Sequence, residues 1–410
     1  MAKSKIIIIG AGASGMLAGI IAARNGAKVT IIEQKDRVGK KILATGNGRC
    51  NISNRKVSSD DYYYDSREKK LFIETILSQF TVEATIAFFH EIGIDIVEKE
   101  DGKLFPRADQ ATSVVSALLM ELDKLKVDIV YQERVEKIEI ASNFQIITNN
   151  KKYYCNKLII AGGGCSSPVL GSDGSCFKLV EQLNHTTSKL FPSLVQLKTD
   201  YSYLKHLMGT KCNALVSLHS EDKEILKEEF GELLFTEYGI SGPPVLQISR
   251  VAGDFLNKNL KVYIRIDLVN EYSYEQLEEL LINRANRMPK RTMEQLLIGF
   301  INSKLIIPIL KTSNIDIHKN VSDMTKQERK EILKNLKQLT MKVTGTMDFK
   351  NSQVTAGGVE ISEIEHQTLE SKLVKNMYFC GEIINVDGAC GGYNLQWAWS
   401  TGFVAGNASS

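Results

Sequence analysis

The chain has 410 residues, 43% hydrophobic and 24% charged, with a formal net charge of +3. That length is too great for one typical core, so two or three domains are expected, and the composition is that of an ordinary globular protein. So mild a charge gives no ground for a nucleic-acid partner, which usually demands a concentrated basic face.

Seven cysteines are scattered without a CxxC pair and without a preceding export signal, so free thiols in a reducing cytoplasm are expected. No apolar run is long enough to cross a bilayer, so no membrane partner is expected. The six histidines show no metal spacing, and no metal site is expected. There are no repeats, and the lysine-rich stretch 319–342 reads as a solvated helix face.

Lys5 to Ile9 reads as a buried strand of β-branched residues ended by glycine. Gly10, Gly12 and Gly15 then spell G-x-G-x-x-G, with Ala13 and Ser14 in the first turn of the helix that follows. Gly10 suits the tight strand-to-helix turn, Gly12 lets a pyrophosphate approach the backbone, and Gly15 lets the helix pack closely on the sheet. A pyrophosphate fits that helix start, where unpaired amides and the dipole favour anions. Val29 to Ile32 form the next strand. Glu33 at its tip, followed by Gln34, can accept hydrogen bonds from an adenosine ribose and disfavours a 2′-phosphate. A lone glycine pattern is weak, but here it sits in a complete strand–turn–helix–strand–acid frame.

In "GKKILATGNGRCNISN" (39–54), the small residues Ala44, Gly46 and Gly48 let the backbone approach a ligand. Lys40, Lys41 and Arg49 can neutralise phosphates, and Asn47 and Asn51 can bond ring heteroatoms. A solvated surface role is an equal reading for either lysine alone. Cys50 has no partner thiol nearby and reads better as a small packing residue than as a redox group. Gly162 to Gly164 follow the buried strand 158–161 but make no second dinucleotide turn, because the third glycine position is Ser167.

From about Phe191 to Lys350 the pattern changes. "NALVSLHS" and "KVYIRIDL" alternate as antiparallel strands, whereas "SYEQLEELLINRANR" and "KQERKEILKNLKQL" are amphipathic helices. Pro243-Pro244 is either a loop near substrate or a structural corner before a helix. Near the C-terminal end, Met377 to Cys380 form a short strand, followed by Gly381-Glu382, Asp387-Gly388, Gly391-Gly392 and a helix from about Asn394. Small residues on that helix suit close packing on a sheet, and Trp397 and Trp399 read as core.

The stretch from Asn376 to Gly406 resembles the second FAD-binding motif of the glutathione-reductase-like fold. More narrowly, "GKKILATGNGRCNISN", "LIIAGGGCSSPVLGSDGSCFKL", "GELLFTEYGISGPPVLQIS", "TAGGVEISEI" and "DGACGGYNLQ", in that order, resemble the aminoacetone oxidase/bile-acid enone reductase family of bacterial FAD-binding flavoproteins. The resemblance implies an α/β fold: a glutathione-reductase-like FAD-binding Rossmann domain (1–190 and 355–410) split by an inserted antiparallel β-barrel-like domain (191–270 and 339–354) carrying a small helical domain (271–338). It implies non-covalent FAD. Arg49, Cys50 and Asn51 would lie along the flavin, and Gly162 on a return loop near it. The backbone at Val135 would read the adenine edge. Glu382 or Asp387 would contact the flavin chain beyond Gly381, with backbone groups of Asn394 and Leu395 facing the ring. The implied activity is a flavin-dependent oxidoreductase passing hydride between flavin and a small molecule, either oxidising an amine or aminoketone with oxygen as acceptor or reducing an enone. NADH or NADPH, lacking a second binding turn, would dock transiently. The rival reading is a nucleic-acid-linked flavoprotein, such as an FAD-dependent enzyme modifying transfer RNA. No catalytic acid or base is identified, and the oligomeric state is not legible.

Overall fold

A computed structural model describes residues 4–410. The chain forms two compact units. One runs up to Pro192 and resumes over Ser352–Ser410; the other is Ser193–Asn351.

The discontinuous unit is built on a parallel sheet of β1 (Lys5–Ile9), β2 (Lys28–Ile32), β3 (Asp128–Val130), β4 (Lys157–Ile160) and β5 (Met377–Phe379), in the order β5-β4-β1-β2-β3. Ile6, Ile7 and Ile8 are wholly buried, which is why β1 is an unbroken β-branched run rather than an alternating one. Helix α1 (Ala13–Arg24) follows β1, and helix α2 (Tyr393–Ala408) packs along it. That seam is backbone against backbone: a Cβ on Gly402 or Gly406 would lie 2.6 Å from Ser14 O or Ala18 O, respectively. Only glycine allows that approach.

Two antiparallel three-stranded sheets also belong to the unit, one of them the meander Val135–Ile140, Phe144–Thr148 and Lys152–Cys155. The stretch Arg67–Glu91 has the length and apolar character of a membrane span. It is two helices, Arg67–Gln79 and Val82–Glu91, broken at Phe80 and capped by Ser66 and Thr81, with Phe72, Ile73, Ile76 and Phe89 in the core.

The second unit is a closed six-stranded barrel in which every neighbouring pair is antiparallel. Closure leaves no free sheet edge. Pro243 and Pro244 begin the helix Pro243–Asn257, where prolines at the first positions cost no hydrogen bond. They form a corner, and Gly231 makes room for Pro244. Between the last two barrel strands, Val262–Asp267 and Leu339–Thr346, run the helices Tyr274–Arg287, Met293–Leu297, Ser303–Thr312 and Lys326–Lys337. Three of them start in reciprocal capping boxes, at Ser273/Gln276, Thr292/Gln295 and Thr325/Glu328.

Candidate functional site

Strand register brings the predicted residues to one edge of the parallel sheet. Ile9 pairs with Ile32 on one side and Ile160 on the other, and Ile160 pairs with Phe379. The next residues, Gly10, Glu33, Ala161 and Cys380, therefore form a row at the carboxyl ends of four neighbouring strands. Ligands of open parallel sheets bind in the crevice outside that edge.

The three glycines of the first turn have different jobs. A Cβ on Gly10 (φ +104°) would sit 2.5 Å from Ala161 O, and one on Gly15 would sit 2.0 Å from Gly10 O. Both are packing constraints. A Cβ on Gly12 would meet nothing within 4 Å, so Gly12 borders open space. As the N-cap of α1, Gly12 offers no side chain, and the first turn carries no acid. The amides of Ala13, Ser14 and Gly15 are thus the first-turn groups that a helix cannot satisfy itself.

Glu33 is buried at the tip of β2. Its Oε2 accepts from Ala11 N (2.8 Å) and its Oε1 from Lys35 N (2.8 Å), which fixes the carboxylate while each oxygen keeps acceptor capacity. Gln34 Nε2 donates to Gly171 O at 2.7 Å. Glu133 N donates to Glu33 O at 3.0 Å, which draws the start of the meander, with buried Val135, beside this corner.

Lys40 pairs with Asp36 at 2.5 Å, and Lys41 pairs across the unit with Glu382 at 2.5 Å. The other oxygen of Glu382 accepts from Thr355 N at 2.7 Å. Thr355 Oγ1 in turn accepts from Cys165 N and Ser166 N. The four segments containing Lys41, Cys165, Thr355 and Glu382 are thereby tied into one network. Gly162 lies in the same loop as Cys165, and a Cβ on it would lie 2.1 Å from Cys176 Sγ.

In the loop after Lys41, Gly46, Asn47, Gly48 and Cys50 all have positive φ. Arg49 folds back: its Nε donates to Gly46 O at 3.1 Å and its guanidinium lies 5.0 Å from the centre of the Phe105 ring. Cys50 is fully buried, and burial pushes its thiol up to about 12. Asn51 Oδ1 is buried without a hydrogen-bond partner, and a buried acceptor of that kind calls for a donor.

The C-terminal motif meets the first turn directly. A Cβ on Gly381 would lie 2.4 Å from Ser14 Oγ, and Gly381 N donates to Thr401 Oγ1 at 2.9 Å. Asp387 is fully buried, its carbonyl accepting from Tyr63 N at 2.9 Å. The Asn394 side chain accepts from Gly388 N at 2.9 Å and donates to the carbonyls of Gly388 (2.9 Å) and Ala389 (3.1 Å), so it braces the loop rather than projecting from it. Leu395 is half-buried in the first turn of α2. The N-cap of α2 is Gly392, again without a side-chain cap, and a Cβ there would lie 2.4 Å from Ser53 O.

Sequence reasoning missed Gln396. It is buried and bonds Ser53 Oγ (2.6 Å), Thr85 Oγ1 (2.9 Å) and Phe80 O (3.1 Å), locking α2 to the 39–54 loop and the neighbouring helices. Its only signal was its place in "GGYNLQ". Trp399 Nε1 donates to Ile52 O at 3.0 Å within the same core. Among the described residues no cluster of His, Cys, Asp and Glu could hold a metal ion.

The arrangement suits an extended anionic ligand. Open space lies over Gly12, two uncapped helix starts belong to the same unit, a fixed carboxylate stands at the tip of β2, and an orphaned acceptor waits at Asn51.

Residues 4–408 match the family model described as the HI0933-like protein Rossmann domain. The chain is 38% identical to a 3-dehydro-bile acid delta(4,6)-reductase of Clostridium scindens, covering 99% of each. It is 31% identical to a ribosomal RNA dihydrouridine synthase of Haemophilus influenzae, covering 98% of this chain and 97% of that one. Its fold is similar to that of a 3-ketosteroid delta1-dehydrogenase from Sterolibacterium denitrificans, at 12% identity and a TM-score of 0.52, over 99% of both chains.

Proposed function

The chain belongs to the HI0933-like Rossmann-domain family, and on that premise we propose that it is a flavin-dependent oxidoreductase that binds FAD non-covalently and reduces a carbon–carbon double bond conjugated to a carbonyl group. The observation that carries this reading is the chemistry shared by the two full-length relatives described above. A 3-dehydro-bile acid with a delta(4,6) system is an enone, and uracil places its 5,6 double bond in conjugation with a carbonyl. Saturating such a bond takes a hydride at the carbon made electrophilic by conjugation, β in an enone or in uracil and δ at the far bond of a dienone, and a proton at its neighbour. Reduction is favoured over amine oxidation because both relatives are named for it.

The residues fit the dinucleotide. Amides of the Gly10–Gly15 turn would hold the pyrophosphate, and Glu33 would take the adenosine ribose hydroxyls, a partner that FMN lacks. Asn51 Oδ1 would accept from the flavin ring, and the first turn of α2, at Asn394 and Leu395, would face it with the positive end of the helix. When bound, FAD supplies the hydride. The chain supplies position, electrostatics and exclusion of water. NADH or NADPH would dock transiently, since no second dinucleotide turn follows Gly162. The seven free thiols support a cytoplasmic setting.

The test is direct. The flavin released by heat should be FAD. Anaerobically reduced protein should be reoxidised by a 3-keto-4-ene steroid acid or by uridine-containing RNA, with recovery of flavin absorbance. Release of NAD or FMN would overturn the cofactor. Reoxidation by oxygen alone, after reduction by an amine, would overturn the direction.

A further inference from the structure

The excess charge of the chain is concentrated. Lys and Arg balance Asp and Glu in the discontinuous unit, and again over the barrel and its packed helix; the whole +3 falls within residues 271–338. Inside that segment, residues 283–292 read NRANRMPKRT, with four cations and no anion.

The four are not equivalent. Arg284 turns inward and donates to Leu296 O and Ile298 O at 2.9 Å each, closing the turn between two helices. Arg287, Lys290 and Arg291 are exposed. Among the described residues none of these three is in an ion pair, although nearby Lys319 and Arg329 pair with Glu328 and Glu278. Their loop is pinned. Arg291 N donates to Met288 O (3.1 Å), Val321 N to Arg291 O (2.8 Å) and Ser322 N to Pro289 O (3.2 Å), with Pro289 stiffening the turn. Of the neighbouring acids, Asp316 accepts from His318 N and Asp323 from Ser322 Oγ. Cations on an ordered backbone lose less freedom on binding, so an anionic chain can be held at lower entropic cost.

We propose that Arg287, Lys290 and Arg291 form a docking surface for the phosphate backbone of RNA. The inference rests on the functional reading above in one respect, that uracil is among the conjugated alkenes accepted. Backbone contacts of this kind position a nucleic acid without reading its sequence.

The experiment uses the flavin-loaded full chain and its Arg287→Gln/Lys290→Gln/Arg291→Gln variant. Binding to in vitro transcribed ribosomal RNA is followed by fluorescence anisotropy over a salt series. Each single-strand phosphate contact contributes about 0.7 to the log–log salt slope, so the variant should lose about 2 from the slope. It should also lose about tenfold or more in affinity at low salt, while keeping its flavin content and its rate with a free enone. Unchanged affinity and slope would overturn the surface. So would a wild-type chain that reduces the enone but binds no RNA, or one that binds only vesicles of phosphatidylglycerol. Salt-dependent RNA binding lost in the variant, in a chain with no flavin chemistry, would support the surface and sink the functional reading alone.

Discussion

Three helix starts of the inserted unit differ from the two at the edge of the parallel sheet. In the inserted unit, Tyr274–Arg287, Met293–Leu297 and Lys326–Lys337 each open with a Ser or Thr that caps the third residue and receives a Gln or Glu in return. Their first-turn amides find partners within the chain. At the edge of the parallel sheet, α1 and α2 open with Gly12 and Gly392, which have no side chain to offer. At Gly12 a serine is an ordinary stabilising choice, worth about 1 kcal/mol over alanine though only a few tenths over glycine, whereas at Gly392 (φ +103°) a Cβ would lie 2.4 Å from Ser53 O and only glycine fits. The lesson is that a bare helix start that borders open space, as at Gly12, leaves first-turn amides for a ligand, whereas a boxed start, or a bare one packed against backbone as at Gly242, is finished structure.

That contrast can be broken most forcefully at Gly15. Gly15→Ala puts a methyl 2.0 Å from Gly10 O, so the turn must open, at about 3 kcal/mol of stability and with loss of bound flavin. Urea unfolding and the flavin-to-protein absorbance ratio measure both. A variant that retains flavin would show that the turn yields freely. Gly12→Ala is its counterpart. With nothing within 4 Å of the new methyl, unfolding of the flavin-free chain should move by less than about 0.5 kcal/mol while FAD affinity falls. Equal affinity would mean the open space over Gly12 is not where the pyrophosphate lies.

Glu33→Ala should weaken FAD binding by about 1.5–3 kcal/mol, and it also strips acceptors from the amides of Ala11 and Lys35. Titration of flavin-free protein reads the first effect and Glu33→Gln helps separate the second. On the finished side, Thr325→Ala should cost about 1 kcal/mol of stability with flavin content untouched. Loss of flavin there would erase the distinction between the two kinds of helix start. The smallest expected effect is at Cys50. Its thiol is pushed up to about 12 by burial, so it stays protonated as pH climbs past the ordinary thiol value of about 8.5. Alkylation of native protein at pH about 9, mapped by peptide mass, should leave it unmodified, and rapid labelling would place it at an open surface.

The first βαβ unit was legible because its demands are local: strand, turn, helix and acid lie within Lys5–Glu33, and each residue type has one geometric reason to be there. The barrel was legible through alternation, and the inserted helices through their periodicity. What stayed hidden depends on distant partners. Lys41 looked like a phosphate ligand or a solvated lysine; Glu382, far along the chain, claims it. Lys40, by contrast, goes to Asp36, only four residues away, a local pair. Gln396 gives no sign in sequence that it will meet Ser53, Thr85 and Phe80. The distribution of charge was hidden by averaging. A net +3 argued against nucleic acid, yet the whole excess lies within residues 271–338, and that shows only when charge is counted segment by segment.

The contact between Ser14 Oγ and Cys380 O spans 366 positions of sequence. During synthesis, α1 must therefore wait for almost the entire chain before the glycine face of α2 arrives to cover it. Closing so long a loop costs on the order of 5 kcal/mol in chain entropy. The inserted barrel lightens this slightly. Leu197 pairs with Thr346, so once the barrel has formed, its two ends are stitched together and the loop left to close is shorter, a saving of about 0.5 kcal/mol. Contacts of such long range make for slow folding and prolonged exposure of apolar surface. The segment that interrupts the nucleotide-binding unit thus also helps it to assemble, and lesions that delay the barrel should appear first as aggregation of the newly made chain.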